Sequence, residues 1–368
     1  MDEKLGDQNQ GLEKRRTNAL PPPPPPAIAL ALGITTLTVE WLAGDGSDRC
    51  YYRITSPDLT GPHVLMQLSG SDAQALKNDG YDWVKIARLL DARGIFVPRV
   101  IATMPEHAAL VIEDYGDDML EGRVFGMAER DEFGLIRTLY RQCSEIVTKF
   151  LAIPQQPDAT WCKRSFDEER FAWELNFFMQ KYAIPVAKIT LNKIEQRVFE
   201  EETRRLAQAL ARNSKYFVHR DFHSRNIMVK GEKLAIIDFQ DARLGPAAYD
   251  FVSLCFDSYV PFTATTRSQL FNDALETVRK SQPPQVFQDV QELWRPMLLQ
   301  RQLKAIGSFG YLTIDKQRGD YLKYVDPALR TLEEQDLQDD RWPFISDTLL
   351  RRMRAHLNTS DQVHGSHR

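Results

Sequence analysis

The chain has 368 residues, 43% hydrophobic and 10% aromatic, enough apolar material to fill the core of one large or two ordinary domains. Its 47 Lys and Arg against 51 Asp and Glu give a net charge of -4, so no polycationic face exists to grip a phosphate backbone and nucleic acid is not an expected partner. Cys50, Cys143, Cys162 and Cys255 lie far apart with no CxxC pair, which argues against a zinc knuckle and a disulfide framework and for free thiols in a reducing cytoplasm.

In chain order, residues 1–20 are polar and charged, and Pro21 to Pro26 form a stiff run without amide donors. Residues 1–32 are therefore expected as an arm outside the core, either a plain spacer or a docking segment for a proline-reading partner. EKRR at 13–16 followed by AIALALG at 27–33 imitates an export signal, but six prolines intervene and no A-x-A-like cleavage site follows closely. No run reaches the roughly 18 apolar residues of a membrane span, and the expected location is cytoplasmic.

From Thr35 come three β-type runs, TTLTVEWLA, RCYYRITS and HVLMQLS, separated by the breakers GDGSD and TGP, which read as an antiparallel meander. Residues 73–94 have helical spacing with Gly94 as a stop, and FVPRVIAT and AALVIEDYG supply two more strands. Five strands and one helix thus fill residues 33–116. After a junction near Tyr115 the pattern turns to long amphipathic stretches at 129–152, 167–182, 190–213, 267–280 and 286–310, broken by short apolar strands around 217 and 234–238. The expected fold class is α+β: a small antiparallel β lobe, a helical lobe over 117–358 and a flexible tail at 359–368.

The stretch VHRDFHSRNIMV, 218–229, places Asp221 and Asn226 in one loop, and LAIIDFQD, 234–241, places Asp238 after an apolar strand that a GEK turn would fold back. Singly, Asp221 and Asn226 read as turn caps. Together with Asp238 they form a hard-oxygen set suited to Mg²⁺, and phosphoryl transfer needs this set: Asp221 to accept the proton of an attacking hydroxyl, Asn226 and Asp238 to hold the metal on the nucleotide phosphates.

HxDxxxxN followed by IIDF resembles the catalytic and metal loops of the kinase superfamily in the form used by aminoglycoside and choline kinase-like phosphotransferases, with Gln240 where protein kinases have Gly. The resemblance implies a bilobal protein-kinase-like fold and ATP with Mg²⁺ as cofactors. It also implies that Asp250, in GPAAYDFVSL, braces the catalytic loop by accepting backbone hydrogen bonds, a place where Asp250 also reads as a helix N-cap.

AGDGSDRCYYRI lies where such a fold lays a turn over the phosphates. Gly44 and Gly46 permit close approach, Ser47 offers an amide and a hydroxyl, and Arg49 a charge, although GDGSD also reads as an ordinary hairpin loop. By the same resemblance the Glu113 carbonyl and Tyr115 amide hold adenine. The third strand lacks the usual phosphate-reaching lysine, with Met66 and Gln67 near its position; either Arg49 or Arg53 substitutes, or the chain is a nucleotide-binding pseudokinase signalling through its arm.

GSDRCYYRI, the lysine-free VLMQ strand, HRDFHSRN, IDFQDARLGPAAYDFVSL and LLQRQLKAIGSFGYL together resemble a narrower group, the bacterial anomeric N-acetylmuramate/N-acetylglucosamine kinases. That resemblance implies ATP-dependent phosphorylation of an amino sugar at its C1 hydroxyl in cell-wall recycling; aminoglycosides, choline and other sugars stay open as acceptors. His223, Gln240 and Asp241 are candidates for the acceptor hydroxyls by adjacency to the transfer site. Arg225 or Arg243 would meet a muramic acid carboxylate, and Glu174 is either a substrate contact or part of an exposed helix face.

Overall fold

Alternating burial along Cys50–Thr55, with Cys50, Tyr52 and Ile54 inward, and an unbroken buried run through Ala109–Ile112 mark strands that are covered on one face and on both. The computed structural model describes residues 20–44, 49–318, 321–335 and 340–365. These strands belong to a five-stranded antiparallel sheet, β1 (Thr38–Gly44), β2 (Cys50–Thr55), β3 (His63–Gln67), β4 (Val100–Met104) and β5 (Ala109–Glu113), in the order β1-β2-β3-β5-β4. The chain divides into two compact units, one of residues up to Asp118 with Met228–Gln240, the other of Met119–Ile227 with the chain from Asp241 onward.

In the sheet unit two expectations need correction. The arm expected to end at residue 32 is partly core. Pro25–Leu32 form helix α1 with prolines in its first turn, where the missing N–H has no helical partner to lose, and Gly33 caps it at φ 66°. Ile28 on this helix is fully buried against Tyr52, Ile54, Leu65 and Val111, and the Tyr52 hydroxyl donates to the Leu20 carbonyl. The single helix expected over 73–94 is two, α2 (Gly70–Lys77) and α3 (Asp82–Asp91), because the Asn78-Asp79-Gly80 turn intervenes with Asp79 at φ 52°.

The second unit is helical. It contains α4 (Leu120–Glu129), α5 (Phe133–Leu151), α6 (Glu168–Phe178) running into a π segment at Met179–Ala183, and α7 (Lys193–Ala211). After these come α8 (Tyr249–Cys255), α9 (Ala264–Ser281) and the 31-residue α10 (Pro284–Ile314). Shorter helices follow at Val325–Glu334 and Leu350–Gly365, so residues 359–365, expected as tail, are helical. Two glycines let α10 lie against the end of α6: a Cβ at Gly307 would stand 2.7 Å from Phe178 Cα, and one at Gly310 2.1 Å from the Lys181 carbonyl oxygen. A short antiparallel pair, β6 (Tyr216–Val218) with Arg243–Gly245, leads the chain into the HRDFHSRN loop. Among the described residues no helix is long and apolar enough to cross a membrane.

Candidate active site

Strand β6 ends at Val218, and the loop after it is pinned by its own apolar residue. Phe222 is fully buried, packing edge-on against Phe150 at 5.5 Å and against His219 at 5.7 Å. With Phe222 inward, its neighbours Asp221 and His223 face a cavity. Arg220 takes φ 84°, a left-handed conformation that a long side chain rarely adopts, so the surroundings must hold it there.

Two aspartates of the following segment do so. Asp250, on α8, accepts the backbone N–H of His219 at 2.7 Å and of Arg220 at 3.1 Å, and burial pushes its carboxyl up to about 7. Asp257, just past α8, accepts both the N–H and the hydroxyl of Ser224 at 3.0 and 2.5 Å, and the N–H of Tyr259 at 2.8 Å. Asp250 therefore holds the entrance of the loop and Asp257 its exit. The role of Asp257 was not legible in the sequence.

Within the loop, Asn226 Nδ2 donates to the Asp221 carbonyl at 2.9 Å. The Asp221 carboxylate has Lys304 Nζ at 3.3 Å, Arg220 Nε at 3.8 Å and Arg301 Nη2 at 4.0 Å. Burial acts to raise its pKa, but these three cations outweigh it and hold the carboxyl well below the usual carboxylate range. Lys304 and Arg301 come from α10 and were missed by sequence reasoning; two basic residues three apart inside the apolar LLQRQLKAI stretch were the available signal.

Asp221 and His223 open onto a cavity of about 120 Å³ inside the helical unit, whose walls include Asp257, Tyr259, Lys304 and Phe309. His223 crosses Tyr259 edge-on at 5.3 Å, and its buried Nδ1 has no hydrogen-bond partner among the described residues. Carboxylates, an ammonium, a ring nitrogen and two aromatic faces around one small space suit a polyhydroxylated ligand of modest size.

Other expected site residues are placed differently. Arg225 is clamped by Glu121 at 3.0 and 2.7 Å, bonds the Tyr324 hydroxyl at 2.6 Å and lies 3.8 Å over the Tyr259 ring, so its charge is already neutralised and it props the aromatic wall. Glu174 is fully buried, accepting from Gln300 Nε2 at 2.7 Å with Arg170 at 3.6 Å; it is neither an exposed face nor a substrate contact, because α10 covers it. Asp241 pairs with Arg220 Nη1 at 3.1 Å, and Arg243 points its Nε at the Asp241 carbonyl while its guanidinium covers Phe166.

In the sheet unit Asp238 follows the strand Lys233–Ile236 with φ 63°, and its Oδ1 accepts from Gln240 Nε2 at 2.6 Å, so Gln240 orients Asp238. Phe239 is buried on Trp83 of α3 at 5.0 Å. Asn226 and Asp238 offer an amide oxygen and a carboxylate, donor types that fit Mg²⁺.

Arg49 pairs with Asp72 of α2 at 2.8 Å, and Arg53 is committed to Asp114 at 2.6 Å and Asp117 at 2.8 Å, which removes Arg53 as the substitute for a third-strand lysine. The segment after β5 is fixed by Asp114, whose Oδ1 accepts the Gly116 N–H at 2.7 Å and whose carbonyl accepts from Lys230 at 2.9 Å. Glu113 ties its side chain to Arg99, and Lys230 lies over the Tyr115 ring at 5.2 Å. Gly46 and Ser47 lie outside the described residues.

The chain is similar to several known proteins. A N-acetylmuramate/N-acetylglucosamine kinase of Neisseria meningitidis is 26% identical over 276 residues, 74% of this chain and 78% of its own. One from Pseudomonas aeruginosa is 27% identical over 293 residues, 79% and 81% of the two chains. A choline/ethanolamine kinase family protein from Mesorhizobium loti superposes with a TM-score of 0.54 at 14% identity, over 90% of this chain and 98% of that one, and so shares the fold. The sequence model of the phosphotransferase enzyme family matches residues 38–284, and the chain belongs to that family.

Proposed function

We propose that this phosphotransferase moves the γ-phosphoryl group of ATP to an amino sugar, at the anomeric C1 hydroxyl of N-acetylmuramate or N-acetylglucosamine. The observation that carries this reading is the cavity in front of Asp221, where groups that bind hydroxyls stand beside the faces of Tyr259 and Phe309. The names of the Neisseria and Pseudomonas relatives support the same acceptor class.

Asp221, ionised and braced through its loop by Asp250 and Asp257, orients the acceptor hydroxyl and takes its proton. His223 and Lys304 flank that position and set the direction from which the hydroxyl approaches. Asn226 and Asp238 would hold Mg²⁺, which when bound supplies charge for the nucleotide phosphates. The segment Glu113 to Tyr115, held by Asp114, would receive the adenine ring through backbone groups. Arg49, anchored on Asp72, Gly46 and Ser47 would meet the phosphates.

The test is ATP consumption with Mg²⁺ over a panel of hexosamines, aminoglycosides and choline, with Asp221→Asn as control and phosphorus NMR of the product. Sugar 1-phosphate formation that the variant abolishes is the expected result. A 6-phosphate would reject the anomeric position, turnover of choline alone would reject the sugar, and ATP binding without turnover on any acceptor would favour a nucleotide sensor.

A further inference from the structure

The surroundings of Asp221 carry more positive charge than its carboxylate balances. Arg220 has Asp241 as a partner; of the other buried carboxylates nearby, Glu174 is held by Gln300 and Arg170, Asp250 by the N–H groups of His219 and Arg220, and Asp257 by Ser224 and the N–H of Tyr259. Lys304 and Arg301 are left to share Asp221. Arg301 gives Nη1 to the Tyr249 hydroxyl at 2.8 Å, and its buried Nε has no acceptor among the described residues. Lys304 lines the same cavity as Asp221, on a flexible stem that can turn its ammonium toward a ligand there.

We propose that Lys304 is a catalytic residue whose ammonium passes from Asp221 to an oxygen of the phosphoryl group as that group is transferred. The inference rests on the reading of Asp221 as base and of a sugar as acceptor. In the step, the acceptor oxygen bonds to the γ-phosphorus of a nucleoside triphosphate and the bond from that phosphorus to its bridging oxygen breaks. The nucleoside diphosphate leaves with the electron pair, and the acceptor proton goes to the Asp221 carboxylate.

On gaining that proton Asp221 loses its charge, and Lys304 and Arg301 lose their counter-ion just as phosphoryl oxygens arrive beside it. A buried cation without a partner is costly, so the oxygens that complete it are favoured, in the transition state and in the product but not with a neutral sugar. Strand β3 supplies no cation of its own: Met66 is buried, and Gln67 Nε2 is bonded to the carbonyls of His107 and Ala108.

Lys304→Met and Lys304→Gln are compared with the unaltered chain for turnover of N-acetylglucosamine and, by calorimetry without nucleotide, for binding of N-acetylglucosamine and its 1-phosphate. Loss of one such preorganised donor is expected to lower kcat by about 10²–10³-fold while KM for the sugar moves by less than about threefold. Affinity for the 1-phosphate should fall about tenfold or more, and affinity for the free sugar should hold. An unchanged kcat, or equal loss of sugar and sugar phosphate, overturns the proposal. If neither variant folds, the unaltered chain still decides: the 1-phosphate must bind more tightly than the free sugar, and equal affinities overturn the proposal. No turnover of any sugar by the unaltered chain overturns the acceptor reading and this inference with it; sugar turnover by the unaltered chain with an unchanged kcat in Lys304→Met overturns this inference alone.

Discussion

Asp257 accepts the backbone N–H and the hydroxyl of Ser224 with a single carboxylate oxygen, at 3.0 and 2.5 Å, and gives its other oxygen to the N–H of Tyr259. One buried side chain thus ties the exit of the HRDFHSRN loop to the aromatic wall of the cavity. Asp257→Asn keeps the shape but turns an N–H donor toward another donor, so one of these bonds is lost. The expected cost is about 1.5–3 kcal/mol of stability, a charge-assisted bond in a buried setting, together with a fall in kcat as the loop loosens. Thermal unfolding and steady-state kinetics check this; a melting temperature and kcat both equal to those of the unaltered chain would contradict it.

That Asp221 and Asn226 share one loop could be read from the sequence because their relationship is local, an amide five residues on bonding back to the Asp221 carbonyl. Lys304 could not, since it lies 83 residues from Asp221 and meets it only because α10 crosses the loop. Glu174 and Arg225 show the same limit from the other side. Each looks like an available polar group in its own stretch, and each is engaged by a partner more than a hundred residues away, Glu174 by the Gln300 amide and Arg225 by the Glu121 carboxylate. The sheet was legible because β-type composition between turn breakers is a local pattern, whereas α1 was not, because a proline run reads as extended until its last residues are used as a helix start.

Burial of α1 leads to the second prediction. Ile28 is fully buried among Tyr52, Ile54, Leu65 and Val111, so Ile28→Ala should cost about 2–5 kcal/mol, the range for deleting a large aliphatic side chain from a packed core. Leu30 on the same helix is 84% exposed, and Leu30→Ala should change stability by less than about 0.5 kcal/mol. Chemical denaturation of the two variants side by side measures the difference; equal effects would mean that the helix does not dock on the sheet.

The glycines of α10 permit a sharper test. At Gly310 a methyl group would stand 2.1 Å from the Lys181 carbonyl oxygen, a backbone atom that cannot swing aside. Gly310→Ala must therefore push α10 away from the π segment and is expected to destabilise by about 1–3 kcal/mol or more, despite the higher helix propensity of Ala. Because α10 carries Arg301 and Lys304, the same shift should lower kcat. Gly126→Ala on α4 is the control, since its added methyl would meet only the end of the Arg130 side chain at 3.4 Å.

The charge around Asp221 predicts a dependence of stability on pH. Burial raises the pKa of this carboxyl, but Lys304, Arg220 and Arg301 outweigh burial, and the folded value lies well below 3.8, the ordinary value for the unfolded chain. Below its unfolded pKa the unfolded chain binds a proton that the folded chain refuses, so folding is penalised as the pH falls. The stabilisation from Asp221 is accordingly complete above about pH 4–5 and is lost as the pH falls toward the folded pKa. Asp221→Asn removes this contribution and leaves Lys304 and Arg301 facing an amide. The variant should therefore lose stability at neutral pH and show a shallower fall of stability in acid than the unaltered chain. Unfolding free energies measured for both chains from about pH 3 to about pH 7, without nucleotide or metal, test the sign directly. Parallel curves over that range would mean that the three cations do not hold the Asp221 carboxylate as the geometry requires.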